Sequence, residues 1–373
     1  MASSKASRDA APSASNGVSK TTISIAGLAL DIFGLSELIP VQTNVSCLWL
    51  HHGRTRRKED MAEVAERMVS SFNQQLGRGG NSNNGDTESH RRGLIVVTFD
   101  QRNHGTRQTD KLANSTWRSG NTRHAQDMFA TVTGTVVDTM HLMDVLEGYL
   151  WLEDTAAPEA GAAATANARK TIDQHLVLGV SLGGHCAWQL LFEDPRITAG
   201  VVVIGCPDYM RLMTNRAKGS KLPTFQSHDG GASFLGSKDF PPALVAAAKR
   251  WDPKARLFGT DAIPPAGARP EEVHSLLDRT IRGKRIQILS GGKDKLVPYA
   301  VAKPFLDFFK DAVGAWYKHD EVYVEDNVYP EAGHEFSEEM KEDAVRFVLD
   351  SVGKADGATG QQQEKQQIAL PKM

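Results

Sequence analysis

The sequence contains few cysteines. Only Cys47, Cys186 and Cys206 occur among 373 residues. Three widely spaced thiols do not make a disulfide framework, and no Cys-x-x-Cys or Cys/His cluster has the spacing of a zinc site. We therefore expect a reducing compartment and predict no bound metal.

Long apolar runs are also missing. No stretch approaches the roughly 20 apolar residues that a membrane-spanning helix needs, and the N-terminal segment lacks the apolar centre of a signal peptide. We expect no membrane span and a cytoplasmic location. The last residues, Pro371-Lys372-Met373, distantly resemble a Ser-Lys-Leu peroxisomal signal, so peroxisomal import is the alternative.

A strong excess of charge of one sign is absent as well. There are 43 basic and 45 acidic residues, and the formal charge is −2. This balance gives no reason to expect nucleic acid as a partner. The one notable basic run, Arg54, Arg56, Arg57 and Lys58, is interpreted either as a solvated helix start or as a receiver for a substrate carboxylate.

Composition along the chain suggests one domain with tails. Residues 1–20 and 353–373 are polar or small-residue segments and are predicted to be disordered. Residues 21–352 form the predicted domain. Within it, 74–92 and 156–170 have a similar composition and are predicted to be loop insertions.

Strand and helix patterns alternate through that domain. Helical periodicity is found at 61–72, at 136–146 and after an N-cap at Ser337. This alternation predicts an α/β fold with a mostly parallel sheet and helices on both faces. The predicted strands are 22–29, 45–50, 94–99, 175–180, 199–204, 285–289 and 321–324.

The chain between the strands at 199–204 and 285–289 is far longer than one crossover helix requires. We predict a cap insertion at about 207–283, with helices at 242–251 and 270–277. Its aromatic residues either hold the cap together or face a substrate. They are Phe225, Phe234, Phe240, Trp251 and Phe258.

A glycine-flanked serine gives the main indication of chemistry. Gly179-Val180-Ser181-Leu182-Gly183 lies between a predicted strand and a predicted helix, so Ser181 stands at the apex of a sharp turn. A serine hydroxyl needs a base and a group that orients the base before it becomes a nucleophile. His334 and Asp294 lie in later loops that follow strands, at the sheet edge where the turn emerges. Asp208, after the preceding strand, is the alternative acid.

These residues make the chain resemble the α/β-hydrolase superfamily, as a serine esterase or lipase-like member with an inserted cap. The order Ser, Asp, His and the strand-turn context of each residue match that family over about residues 21–350. The resemblance implies an α/β-hydrolase fold. It also implies that Ser181 is the nucleophile, that His334 is the general base and then acid, and that Asp294 fixes the imidazole tautomer.

The resemblance extends to an early strand that ends in His51-His52-Gly53-Arg54. In similar enzymes the backbone N–H after that glycine and the N–H after the serine hold the oxyanion, which here implies Arg54 and Leu182. A metal site at His51 and His52 is not expected, because adjacent side chains diverge.

The loop Asp100-Gln101-Arg102-Asn103-His104-Gly105 also matches a family pattern. We expect Asp100 and Arg102 to pair with each other and to support the site, with no direct catalytic role for His104. Candidate substrate-binding residues are His52, Trp117, Asn121 and Asp208.

The predicted function is hydrolysis of a small or medium carboxylic ester through an acyl-enzyme, with a small-molecule ester-like substrate and no cofactor. A thioesterase, a peptidase or amidase, and an acyltransferase share this chemistry and are alternatives. A small-molecule receptor on the hydrolase scaffold is a non-catalytic alternative. The sequence specifies neither the substrate nor the oligomeric state.

Overall fold

The computed structural model describes residues 17–79, 92–151, 169–265, 267–268 and 270–368. Most of the two predicted loop insertions lies outside these residues, as do the N-terminal residues 1–16 and Pro371-Lys372-Met373. In the described part of the chain, no helix is both long enough and apolar enough to cross a membrane.

Eight strands of the described residues form one sheet in the order β1-β2-β4-β3-β5-β6-β7-β8. The pairs β1/β2 and β2/β4 are antiparallel, and every pair from β4 to β8 is parallel. The mostly parallel sheet confirms the predicted fold class. The strands are β1 Lys20–Ile25, β2 Leu28–Phe33, β3 Asn44–His51, β4 Arg92–Phe99, β5 Thr171–Val180, β6 Ile197–Val203, β7 Arg285–Gly291 and β8 Tyr323–Tyr329.

Helices cover both faces of this sheet. One face packs against α1 and α9, and the other packs against α2, α3, α7 and α8. The central strands β3 and β4 are buried on both faces, which is why their sequences read as continuous apolar runs. The helices are α1 Ala62–Gly79, α2 His124–Leu150, α3 Leu182–Glu193, α4 Tyr209–Ser220, α5 Pro242–Trp251, α6 Pro253–Phe258, α7 Glu271–Ile281, α8 Tyr299–Trp316 and α9 Glu338–Ile368.

The first predicted strand is wrong in one respect, because the chain folds there into a hairpin. β1 and β2 are joined by Ala26 and Gly27, whose φ angles are 48° and 82°. Positive φ at both central residues is the geometry of a tight hairpin turn. The apolar pattern continues across this turn, so it gave no sign of the reversal.

The last helix begins as predicted. The Ser337 hydroxyl accepts a hydrogen bond from the Met340 N–H at 3.3 Å, which is the N-cap interaction. The helix continues to Ile368, beyond the predicted domain end at residue 352. The division into one domain and two tails stays a prediction.

The segment predicted as a cap contains α4, α5, α6 and α7. Helix α7 contacts α3 and contributes Val273, Leu277 and Ile281 to the core beside the sheet. Phe234 and Phe240 are fully buried and pack against each other. These two aromatic side chains therefore hold the segment together, and the cap limits 207–283 stay a prediction.

Candidate active site

Ser181 lies on the turn between β5 and α3. Its φ and ψ angles are 56° and −108°, a conformation that is costly for a residue with a side chain. The Ser181 N–H donates to the Val203 carbonyl at 2.9 Å, and its own carbonyl accepts from the His185 N–H at 3.1 Å. The neighbouring strand and the first helical turn thus hold the serine in this conformation.

The glycines around Ser181 are required by close contacts of the backbone. A Cβ atom at Gly179 would collide with the Gly183 carbonyl, and a Cβ atom at Gly183 would collide with the His51 carbonyl. In addition, the Gly183 N–H donates to the His52 carbonyl at 3.1 Å. The end of β3 is therefore packed directly against the turn that carries the serine.

His334 and Asp294 continue from Ser181 as a chain of hydrogen bonds. The Ser181 Oγ atom lies 2.8 Å from His334 Nε2, and His334 Nδ1 lies 2.8 Å from Asp294 Oδ2. The three residues follow β5, β8 and β7, whose carboxyl ends lie at one edge of the sheet. The structure thus brings together the three residues that the sequence predicted to meet.

The surroundings of Asp294 favour its ionised form. Burial would by itself raise the pKa of this carboxyl group, but the hydrogen bond from His334 and those from the Val297 and Leu296 N–H groups outweigh burial, so the pKa lies below its ordinary value. An ionised Asp294 accepts a hydrogen bond from the Nδ1–H group of His334, which leaves Nε2 unprotonated and able to accept the Ser181 proton.

The loop that carries Asp294 and the loop that carries His334 are joined by backbone hydrogen bonds. The Gly292 N–H donates to the Tyr329 carbonyl at 2.8 Å, and the Lys293 N–H donates to the Ala332 carbonyl at 2.9 Å. A Cβ atom at Gly291 would collide with the Gly333 carbonyl. The close approach of these loops fixes the distance between Asp294 and His334.

Asp208 has a different position from the one that the alternative assignment required. Its carboxylate caps α4 by accepting the Arg211 N–H at 2.9 Å. In the described residues it makes no hydrogen bond to His334. Asp208 instead lines a second cavity of about 850 Å³, which does not include Ser181.

The two backbone N–H groups expected to hold an oxyanion belong to residues that line the same cavity as Ser181. Leu182 is the first residue of α3, where helix N–H groups lack an intrahelical acceptor. Across the described ranges, neither the Arg54 N–H nor the Leu182 N–H has a hydrogen-bond acceptor in the protein. Both donors are thus available to a ligand.

His52 lines the cavity but its ring is used to support the backbone. Its Nε2 accepts the Gln101 N–H at 3.1 Å, and its Nδ1 lies 2.8 Å from the Gly53 carbonyl, so Nδ1 carries the proton. Burial lowers the pKa of His52 to about 4, which keeps the ring neutral at physiological pH. We interpret His52 as a residue that positions the Gly53-Arg54 backbone.

The other candidate substrate-binding residues do not line the Ser181 cavity. Trp117 packs edge-on against His124 and Phe234. Asn121 donates to the Ala113 carbonyl at 3.1 Å and to Asp127 at 3.0 Å. The side chains of Trp117 and Asn121 are thus used for contacts within the protein and not for the Ser181 cavity.

The expected pair between Asp100 and Arg102 is also wrong. Arg102 pairs with Asp138 at 2.8 Å. Asp100 instead accepts hydrogen bonds from the Lys58 and Thr106 N–H groups at 2.9 and 2.8 Å. Asp100 thereby joins two loops next to the site, which is a supporting role of the kind expected.

The cavity beside Ser181 has a volume of about 570 Å³, within the usual range for small-molecule sites. Arg216 on α4 also lines this cavity, and the sequence interpretation missed it. One signal was present: Arg216 shares a helix face with the buried Leu212 and Met213, an unusual place for a cation. In the described residues, no three His, Cys, Asp or Glu side chains form a cluster that could hold a metal.

Comparisons with known proteins give a likeness of fold. No protein-family model and no curated protein matches this sequence. Among solved structures, TT1662 from Thermus thermophilus is similar with a TM-score of 0.52 and 16% identity, over 90% of this chain and 98% of that one. The Pyrococcus furiosus esterase Pf2001 has a TM-score of 0.41 and 16% identity, over 89% of this chain and 91% of the other. At 16% identity, the likeness to TT1662 concerns the arrangement of the chain and not a reaction.

Proposed function

We propose that this chain, which has the α/β-hydrolase fold, is a serine hydrolase that cleaves a small or medium carboxylic ester. The observation that carries the proposal is the hydrogen-bonded series Ser181, His334 and Asp294, with both spacings at 2.8 Å. Ser181 lines a cavity together with Arg54 and Leu182, and the N–H groups of these two residues have no acceptor among the described residues. This combination is what acyl transfer from an ester requires.

In the first half of the proposed reaction, Ser181 Oγ attacks the ester carbonyl carbon while His334 Nε2 takes the hydroxyl proton. The carbonyl oxygen becomes an oxyanion, which the N–H groups of Arg54 and Leu182 stabilise. The bond to the leaving alcohol then breaks, and the proton passes from His334 to that alcohol. An ester of Ser181 with the acid remains.

In the second half, a water molecule attacks the acyl carbon and gives its proton to His334. The same N–H groups stabilise the second oxyanion. The bond to Ser181 Oγ then breaks, the serine regains its proton from His334, and the acid leaves. Asp294 stays ionised throughout and stabilises the imidazolium that forms twice in each cycle. Every step uses groups of the chain, the ester and water.

The size of the cavity favours a small-molecule substrate over a polymer. Short-chain 4-nitrophenyl esters are therefore suitable probes, and matched alkyl thioester and anilide compounds test the alternative leaving groups. We expect the ester to be hydrolysed fastest, because 4-nitrophenolate leaves more readily than an alkyl thiolate or an aniline.

The test compares the native chain with Ser181→Ala. The variant should lower the hydrolysis rate by about 10⁶-fold, since the reaction loses its nucleophile. Ser227→Ala, at an exposed serine elsewhere, is the matched control and should keep the native rate. Native activity in Ser181→Ala, or no turnover of any probe by the native protein, would overturn the proposed function.

A further inference from the structure

Three arginines line the Ser181 cavity, of which Arg56 is exposed and Arg54 and Arg216 are half-buried. Neither Arg54 nor Arg216 has an acidic partner among the described residues. Arg54 donates from Nη1 to the Asn114 carbonyl at 2.7 Å. Arg216 donates from Nε and Nη2 to the Leu296 carbonyl at 3.4 and 3.1 Å, and its Nη1 lies 3.1 Å from the Met128 sulfur. Each guanidinium has five N–H donors, so donors remain on both side chains.

Other arginines of the molecule do have acidic partners. Arg196 forms an ion pair with Asp194 at 2.7 Å, and Arg346 forms one with Glu325 at 2.6 Å. A cation removed from water without an opposite charge costs free energy. Burial lowers the pKa of Arg54, and it lowers the pKa of Arg216 to about 10, so both remain charged at neutral pH.

The acidic residues of the cavity rim do not neutralise this charge. Glu63 pairs with Lys341 at 2.9 Å. Asp60 accepts the Arg57 N–H at 3.0 Å, and Glu335 accepts the Gly333 N–H at 3.1 Å. These three carboxylates are directed to partners of their own.

The remaining titratable groups near the arginines are neutral or already bonded. His124, which lies 3.4 Å from Arg216 Nη1, has its pKa lowered to about 3 by burial and by the two arginines. Asp294 is close enough to raise the pKa of Arg216, but its oxygens accept from His334, Leu296 and Val297. The cavity therefore has positive charge that no protein group offsets directly.

We infer that the substrate of this site is an ester that carries a free carboxylate, and that the guanidinium groups of Arg54 and Arg216 bind that carboxylate. This inference rests on the proposed function. A planar guanidinium matches a carboxylate with two parallel hydrogen bonds, and such charge-assisted bonds are strong in a partly buried site. Monoesters of small dicarboxylic acids fit this chemistry.

The test measures a preference between matched substrates. We would compare kcat/KM for 4-nitrophenyl hydrogen glutarate with that for 4-nitrophenyl 5-oxohexanoate, whose neutral ketone replaces the carboxylate. The native protein should prefer the glutarate ester by about 10- to 100-fold, the effect of hydrogen bonds to a charged group. In Arg216→Met and in Arg54→Met, the preference should fall toward unity, and Lys at either position should restore part of it.

The ratio separates binding of the carboxylate from a structural effect. Arg216 also donates to the carbonyl of Leu296, a residue of the Asp294 loop. If the loss of this bond shifted the loop, both substrates would be hydrolysed more slowly by the same factor. Arg211→Met on the same helix is the matched control, because Arg211 lines the second cavity. That variant should keep the native preference.

Several results would overturn the inference while leaving the hydrolase intact. One is equal kcat/KM for the charged and neutral esters, with both rates dependent on Ser181. Another is a preference that survives in both arginine variants. A third is a stronger preference for the corresponding phosphonate ester, which would assign the arginines to a phosphate-like group.

If no ester is turned over, a binding measurement still tests whether the two arginines bind a carboxylate. Calorimetric titration of the native protein with glutarate and with the neutral glutaramide needs no reaction. Binding of glutarate alone, weakened at least tenfold in Arg216→Met, would support the carboxylate site even though the proposed reaction had failed. Equal binding of the two compounds, or none, would overturn it.

Discussion

Asp294 and Asp208 occupy comparable places in the sheet and have opposite properties. Each lies in the loop that follows one of two neighbouring strands, β7 and β6, and each is almost fully buried, with exposed fractions of 5% and 3%. Asp294 accepts hydrogen bonds from His334 and two backbone N–H groups, whereas Asp208 accepts the Arg211 N–H and caps a helix. A buried acid at a strand end is thus not enough to identify the residue that orients a histidine.

The ionisation of the two carboxyl groups follows from their partners. The pKa of Asp294 is lowered because its hydrogen bonds outweigh the cost of burial. The pKa of Asp208 is raised by burial, which its single helix N–H does not offset. Nearby Asp252 also has a raised pKa, from burial and from the charge of Asp208. The first loop maintains a negative charge beside the histidine, and the second disfavours one.

Replacing each acid by its amide should distinguish the roles of Asp294 and Asp208 most clearly. Asp294→Asn is expected to lower kcat for ester hydrolysis by about 10⁴-fold, because an amide does not hold His334 in the required tautomer. Asp208→Asn should stay within about threefold of the native kcat, since asparagine caps a helix as well as aspartate does. Steady-state kinetics of both variants measures this difference. Equal losses in the two variants would contradict this division of roles between the two acids.

A smaller effect should appear in the pH dependence of stability, with opposite signs for the two loops. The depressed pKa of Asp294 adds stability above the unfolded-state pKa, and this is lost as pH falls through the folded-state value. The raised pKa of Asp208 adds stability only at low pH, and this is lost as pH rises. Relative to the native protein, Asp294→Asn should therefore become more stable as pH falls below the ordinary carboxyl pKa of about 4, whereas Asp208→Asn should become more stable as pH rises above that value.

Thermal unfolding of the native protein and both variants at several pH values measures how the Tm difference between each variant and the native protein changes with pH. The differences in Tm should stay within about 5 °C. The two variants serve as controls for each other, because both remove one carboxylate from a buried loop. If the Tm differences of both variants changed with pH in the same direction, the partners of the two acids would not determine their ionisation.

Local patterns in the sequence were sufficient to predict much of this fold and site. The alternation of strands and helices is a periodic signal, and Ser181, Asp294 and His334 stand in turn-rich loops directly after apolar strands. Parallel strands bring such loops to one edge, so their meeting could be expected. The close contact of Gly179 with Gly183 is a local feature of the same turn.

Features that depend on long-range partners could not be predicted in this way. Arg102 pairs with Asp138 rather than with Asp100, two positions away, because α2 passes beside the loop. Arg216 comes from the segment predicted as a cap and meets the site only through the packing of α4 against the Asp294 loop. In both cases the sequence shows that a charged side chain is present but does not show which partner it contacts.

Covalent labelling with a fluorophosphonate tests the role of Ser181 most directly. Trypsin should release residues 171–196 as a peptide in which Ser181 is the one serine. We expect the phosphonate adduct on this peptide in the native protein, no adduct there in Ser181→Ala, and much slower labelling in His334→Ala. An adduct on another peptide, or labelling of Ser181→Ala at the native rate, would show that Ser181 is not the nucleophile.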